Sequence, residues 1–241
     1  MFRFVMEVSR SMSRANAAHT ATRVLSALPY FAELDPATLK TVAQAAIRRG
    51  YETGQVVFLE GEPCAGLYVV QDGWLKVVKL SPDGREQVLR IVSAGETFNE
   101  VGVFTTASNP ATVVALEPSA VWIIQRKVML QLLDQHPRMA RRILQNLAEH
   151  VLYLVSLIED LSLRTVEARL ARHLLERASA GKLRRHRWAT QAEMAARLGT
   201  VPDVINRALR GMVEEGFIEV ERHQIRIVDR QGLKAKAMLD E

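Results

Sequence analysis

Between Tyr51 and Ile124 the apolar residues come in short runs broken by turn signals. Val56–Leu59 stops at Glu60-Gly61-Glu62-Pro63, and Leu67–Val70 stops at Gln71-Asp72-Gly73. Trp74–Leu80 alternates until Ser81-Pro82-Asp83-Gly84 turns the chain into Gln87–Val92, and Val113–Ala115 and Val121–Ile124 complete the set. Short strands at this spacing predict a small all-β roll or barrel, with Ala37–Ile47 as a helix in front of it. The period then changes. Ala140, Leu144, Leu147, Val151, Leu154, Ile158 and Leu161 recur in alternating steps of four and three, a heptad seam in one helix from about Arg138 to Leu161. So narrow a stripe favours a second copy of the helix over packing within one subunit. Leu144, Leu147, Val151, Leu154, Ile158 and Leu161 are therefore the expected contacts of a homodimer.

The stretch Thr190–Arg207, TQAEMAARLGTVPDVINR, reads as helix, tight turn and second helix. Ala195, Ala196 and Leu198 suit close packing in the first helix. Gly199 supplies a positive φ for the turn, Thr200 is the expected N-cap, and Pro202 falls in the first turn of the second helix. Asp203, Asn206 and Arg207 share its polar side, while Val204, Ile205, Ala208 and Leu209 supply apolar contacts. A helix at Val166–Ala178 and a polar, basic loop precede the pair. A hairpin of Ile218–Val220 and Ile225–Val228 follows it as a wing. The second helix of such an arrangement lies in the major groove of DNA. An ordinary pair of packed helices with a solvated face is the competing reading.

Charge discriminates between them. Residues 164–241 carry 16 Lys and Arg against 11 Asp and Glu, whereas residues 1–163 carry 16 of each, so the whole excess of +5 sits with the helix pair. Lys182, Arg184, Arg185 and Arg187 precede it, and Arg222 and Arg226 follow. A basic domain beside a neutral one fits a partner whose phosphates dominate affinity, double-stranded DNA. A single cysteine, Cys64, excludes an internal disulfide and a four-cysteine zinc or iron–sulfur site. No apolar run reaches transmembrane length, and MFRFVMEVSR is charged too early for a secretory signal, so the expected setting is cytoplasmic with no membrane partner. No nucleophile elbow, phosphate-cradling glycine loop or metal-spaced histidine pair points to an enzyme, and no metal site is expected. Glu96 and Glu100 read more simply as strand-end chemistry and a ligand contact. Residues 1–20, rich in Ser, Ala and Arg, read as a disordered arm.

EGEPCAGLYVV, SPDGRE, AGETFNEVGVF, the His-Pro step at 136–137, LSLRTVEARLARHLL and TQAEMAARLGT occur here in an order that resembles the CRP/FNR superfamily of transcription regulators. The resemblance covers about Leu25 to Leu233. It implies an α+β chain: an N-terminal jelly-roll-like β-roll sensor domain, a long dimerisation helix and a C-terminal winged helix-turn-helix. The corresponding boundaries are 1–24 for the arm, 25–136 for the β-roll, 137–163 for the dimer helix and 164–241 for the DNA-binding domain. It further implies a homodimer on a palindromic operator, RNA polymerase as partner if the protein activates, and allosteric control by a small effector.

The implied DNA contacts are Thr190, Gln191, Thr200, Pro202, Asp203, Asn206, Arg207, Arg210 and Arg226. Arg207 keeps the guanine reader and Asp203 a shorter carboxylate for cytosine, while Pro202 replaces a family arginine. The implied effector pocket is Asn99, Glu100, Val101, Pro110, Ala111, Leu147, Val151, Leu154 and Val155. It departs from the cyclic-AMP binders. Asn99 stands for a glycine, Pro110-Ala111 for the Arg-Ser pair that grips the cyclic phosphate, and Leu154 and Val155 for the polar residues that meet the adenine. A phosphate without its guanidinium loses a charge-assisted pair, so the effector is expected to be something other than cyclic AMP. An apolar or aromatic molecule is one option. Haem is another, as in the family's carbon monoxide and nitric oxide sensors, with His19 and His150 as candidate ligands. A ligand-binding module with a vestigial DNA domain is a third reading.

Overall fold

The computed structural model describes residues 16–105, 108–184, 188–221 and 223–238. The chain divides into two compact units, Met1–Val78 with Arg90–Val151 and Lys79–Leu89 with Leu152–Glu241.

The first unit opens on a helix, α1, through residues 16–26. Ala21 and Leu25 on it are fully buried together with Leu28 and Phe31. The expectation of a disordered arm to residue 24 is therefore corrected for residues 16–24, and its earlier part lies outside the described residues. The reason is a helical stripe, Ala17, Ala21, Val24, Leu25 and Leu28, that has a core to join. α2 (Pro36–Ala45) starts where the Asp35 carboxylate accepts from the backbone N–H groups of Ala37 and Thr38, with proline in the first turn.

Eight strands follow: β1 (Ile47–Tyr51), β2 (Val56–Phe58), β3 (Gly66–Asp72), β4 (Trp74–Leu80), β5 (Glu86–Ser93), β6 (Thr97–Phe98), β7 (Thr112–Ala115) and β8 (Ser119–Gln125), with the short helix α3 (Glu100–Phe104) between β6 and β7. They form two four-stranded sheets, ordered β1-β8-β3-β6 and β2-β7-β4-β5. The predicted helix at Ala37–Ile47 ends early, because Ile47–Tyr51 pairs antiparallel with Ser119–Ile123 of β8. Side chains alternate across β3 and β8. Tyr68, Val70, Val121 and Ile123 join Phe58, Leu75 and Phe98 between the sheets. Leu67, Val69, Trp122 and Ile124 point the other way, onto α1, α2, α4 (Arg126–Gln135) and the start of α5 (Pro137–Leu163). These two strands are buried on both faces, which is why they read as continuous apolar runs.

Among the described residues, much of the α5 seam is left uncovered. Leu144, Val151, Leu154 and Ile158 remain 66, 58, 41 and 63 % exposed, and Leu152 and Val155 widen the stripe. Leu147 differs: it packs against the first unit's core.

In the second unit, α6 (Val166–Arg177), β9 (Lys182–Arg184), α7 (Gln191–Arg197), α8 (Pro202–Glu214), β10 (Ile218–Val220), β11 (Gln224–Ile227) and α9 (Arg230–Lys236) enclose a core of Leu170, Leu174, Ile205, Leu209, Met212, Ile218, Ile225 and Leu233. The basic segment read as a loop is in part a strand. β9 pairs with β11 and gives a three-stranded sheet in the order β10-β11-β9. Arg185, Arg187 and Arg222 lie outside the described residues.

Candidate nucleic-acid interface and effector pocket

α7 begins with a side-chain N-cap in a capping-box sequence, the Thr190 N–H itself donating to the Trp188 carbonyl. The Thr190 hydroxyl accepts from the Glu193 N–H at 3.2 Å, and glutamate occupies the third helical position. Gly199 takes φ +63°, and the Thr200 N–H closes back on the Ala195 carbonyl at 2.9 Å. Pro202 starts α8 and keeps the residue before it extended, so the N-cap is Val201, one residue later than expected. Val201 is extended and makes no side-chain cap bond, and Pro202 is the first helical residue, where no N–H is missed.

α8 then divides by its period. Ile205, Ala208, Leu209 and Met212 are buried, and Val204 and Asn206 are half-buried. Pro202, Asp203, Arg207 and Arg210 are exposed. Asp203, Arg207 and Arg210 follow one another at four and three residues, on one outward stripe, and no ion pair among the described residues holds any of them. A carboxylate and two guanidiniums, unpaired among the described residues and presented by a helix whose opposite face is buried in the core, can bond base edges and phosphates. Gln191 is half-buried on the first turn of α7 and Thr190 is exposed. Arg226 differs from the rest. It is directly opposite Glu219 in the wing and forms an ion pair with it.

Several arginines that sequence reasoning did not single out organise this unit. Arg164 and Arg172 both grip Asp160 at 3.0 Å, and Arg164 also donates to the Ala237 carbonyl at 2.7 Å, tying the end of α5 to α6 and α9. His173 on α6 sits near Arg177 and Arg197. Burial and these two cations hold its imidazole neutral, with a pKa lowered to about 3.

In the first unit, Asn99 adopts φ +74°, a region that asparagine tolerates and that the family's glycine would take freely. Its amide donates to the Asn109 Oδ1 at 3.0 Å, the Gly66 carbonyl at 3.2 Å and the Cys64 Sγ at 3.2 Å. Burial pushes the Cys64 thiol up, away from the reactive thiolate. Glu100 is buried and accepts from the Thr97 hydroxyl at 2.5 Å and, more distantly, from the Tyr30 hydroxyl at 3.4 Å. The carboxylate expected to meet ligand is thus already engaged by two hydroxyls, neither of which the sequence reading named. Pro110 and Val101 are exposed, and Ala111 is buried. Leu147 lies in the core and Val151 on the exposed stripe, while Leu154 and Val155 belong to the second unit. His150 is half-buried; burial first, then Arg90, push its imidazole toward the neutral form, against the pull of Glu100 and Glu149. His19 is exposed on α1. Among the described residues no helix is long and apolar enough to cross a membrane.

Comparison with known proteins agrees with this anatomy. Residues 48–136 match the cyclic nucleotide-binding domain family and residues 168–236 the Crp-like helix-turn-helix domain family. A CRP-like cAMP-activated global transcriptional regulator of Mycobacterium tuberculosis is 25 % identical over 220 residues, which cover 89 % of this chain and 98 % of the relative. The probable transcriptional regulator flp of Lacticaseibacillus casei is 28 % identical over 218 residues, covering 90 % and 98 %. The structure of FixK2 from Bradyrhizobium japonicum superposes with a TM-score of 0.71 at 22 % identity, over 81 % of this chain and 99 % of that one, a likeness of fold. With a β-roll of the cyclic nucleotide-binding type, a long helix and a Crp-like winged helix-turn-helix in that order, the chain belongs to the CRP/FNR family of transcription regulators.

Proposed function

We propose that this regulator acts as a homodimer on a palindromic operator, controlled by a small effector other than cyclic AMP. The observation that carries the DNA half is the outward face of α8, where Asp203, Arg207 and Arg210 are exposed and unpaired among the described residues. Arg207 would read a guanine through O6 and N7, and Asp203 would accept from a cytosine N4. Pro202 has no donor to offer, so the half-site differs from one read by an arginine at that position. Exposed Leu144, Val151, Leu154 and Ile158 support dimerisation through α5, which supplies the two-fold symmetry that paired half-sites need.

The M. tuberculosis relative is described as cAMP-activated. In this chain Pro110 and Ala111 offer no cation to a cyclic phosphate, and Glu100 is bonded to Thr97 and Tyr30. A burial of the phosphate anion without a guanidinium is strongly unfavourable. The test is a gel shift over genomic fragments with and without cyclic AMP. A retarded fragment whose affinity cyclic AMP leaves unchanged is expected; no retarded fragment, or a cyclic-AMP-dependent one, would contradict the reading.

A second reading keeps the regulator and makes haem its effector. It is favoured by His150, whose imidazole is pushed toward the neutral form that ligates iron. Titration with haemin separates the two. A sharp Soret band that saturates at one haem per chain and is lost in His150→Ala carries haem, and a broad, unsaturating band removes it.

A further inference from the structure

The first unit holds a cavity of about 310 Å³ beside Glu100, lined in part by Thr97 and Tyr30, whose hydroxyls are bonded to that carboxylate. One wall is α5, through Arg142, Asn146 and Glu149; the other is Arg90, Glu96 and Thr97 around the β5–β6 turn, closed at one end by Pro29 and Tyr30. Its size is that of a small-metabolite site.

Charge bookkeeping inside it is specific. Arg90 is neutralised by Glu96 at 2.9 Å, and the Ser93 N–H and hydroxyl donate to the same carboxylate at 2.8 Å each. That leaves one guanidinium and one carboxylate, Arg142 and Glu149, which no ion pair among the described residues engages.

Arg142, Asn146 and Glu149 follow at four and three residues, so they share one face of α5, about half a turn around from Leu144, Val151 and Ile158. A dimer formed through the apolar stripe leaves the cavity open.

We propose that this cavity is the effector site, and that it takes a zwitterion of the free α-amino acid class. The ligand's carboxylate pairs with the Arg142 guanidinium. Its ammonium donates to the Glu149 carboxylate. A simple anion would pair with Arg142 and leave Glu149 uncompensated beside it, and a simple cation would leave Arg142; a zwitterion pairs with both free charges together. The assignment rests on the regulator reading above and gives its effector a chemistry.

The test is thermal-shift screening of the full chain against each of the twenty L-amino acids at about 10 mM, followed by calorimetric titration of any that stabilises. At least one amino acid is expected to bind, its amine and carboxylic-acid analogues are expected not to, and Arg142→Gln and Glu149→Gln are each expected to weaken binding about tenfold or more. Both side chains are exposed, so neither substitution threatens the fold. A flat response to all twenty, equal binding of an analogue lacking one charge, or unchanged affinity in both variants would overturn the assignment. If the same preparation still retards a palindromic duplex, the regulator reading stands without this pocket; if it retards no DNA, that reading falls separately.

Discussion

Replacing Ile158 by glutamate should dissolve the dimer that this account requires. Ile158 is 63 % exposed in the single chain, near the end of a stripe that continues through Val151 and Leu144 at seven-residue steps. Burying a whole isoleucine side chain is worth about 1.5–3 kcal/mol, so covering its exposed part contributes about 1–2 kcal/mol per protomer and about 2–4 per dimer. Two-fold symmetry sets each residue of an isologous seam against its own counterpart or a near neighbour. The substitution therefore removes both contributions and puts two carboxylates close together in a partly dry interface. At an effective dielectric near 20, like charges about 4 Å apart repel by about 4 kcal/mol. Allowing for relaxation, a loss of at least about 4 kcal/mol is expected, which raises the dimer dissociation constant about a thousandfold. Sedimentation velocity over a concentration series measures it directly, with circular dichroism to show that α5 is still helical. An Ile158→Glu protein that sediments as a dimer with an unchanged constant would refute the assignment of the stripe.

Three other outcomes follow from the geometry. Glu219→Gln releases Arg226 from its cross-strand ion pair, so DNA binding should tighten across all sequences and the salt slope should steepen by about 1; an unchanged slope would mean the wing touches no phosphate. Gly199→Ala should destabilise the second unit, because the residue sits at φ +63° and a Cβ there would come within 2.5 Å of the Leu161 Cδ2; a melting temperature equal to the parent's would count against that packing. His173 has an ordinary pKa near 6.5 when unfolded and about 3 when folded, so the unfolded chain takes the proton first and stability falls as pH drops through that window. His173→Gln should flatten that dependence, and parallel melting curves for the two proteins between neutral and acid pH would show that the imidazole is not held neutral.

What the sequence makes legible here is what is local or periodic. The period of α8 separates Ile205, Ala208 and Leu209 from Asp203 and Arg207 without any structure, and the heptad steps mark α5, because both patterns are fixed by helix geometry alone. What it hides depends on distant partners. Lys182–Arg184 carries no strand signal of its own and becomes β9 only because β11, forty residues on, offers an open edge. Ile47–Tyr51 is likewise a strand because β8 is there to pair with. The Tyr30 hydroxyl reaches Glu100 across seventy positions, and the Asn146 face of α5 becomes a pocket wall only against the β5–β6 turn. The one-residue shift of the α8 N-cap to Val201 was local instead, set by Pro202, which starts the helix and keeps the residue before it extended. The N-terminal helix was legible in principle: Ala17, Ala21, Val24, Leu25 and Leu28 form a stripe that composition, dominated by Ser, Ala and Arg, masked.

The central claim is that a symmetric pair of α8 helices reads DNA sequence. Its most direct test is selection from random-sequence duplexes by the full-length protein, followed by fluorescence anisotropy of the winning duplex with the parent protein and with Arg207→Ala. The account predicts an inverted repeat whose half-site centres are about one helical turn, 10–10.5 base pairs, or a multiple of it apart, and a loss of about 1–3 kcal/mol in Arg207→Ala confined to one base pair of each half-site. No enriched sequence, a motif without two-fold symmetry, or undiminished discrimination in Arg207→Ala would contradict it.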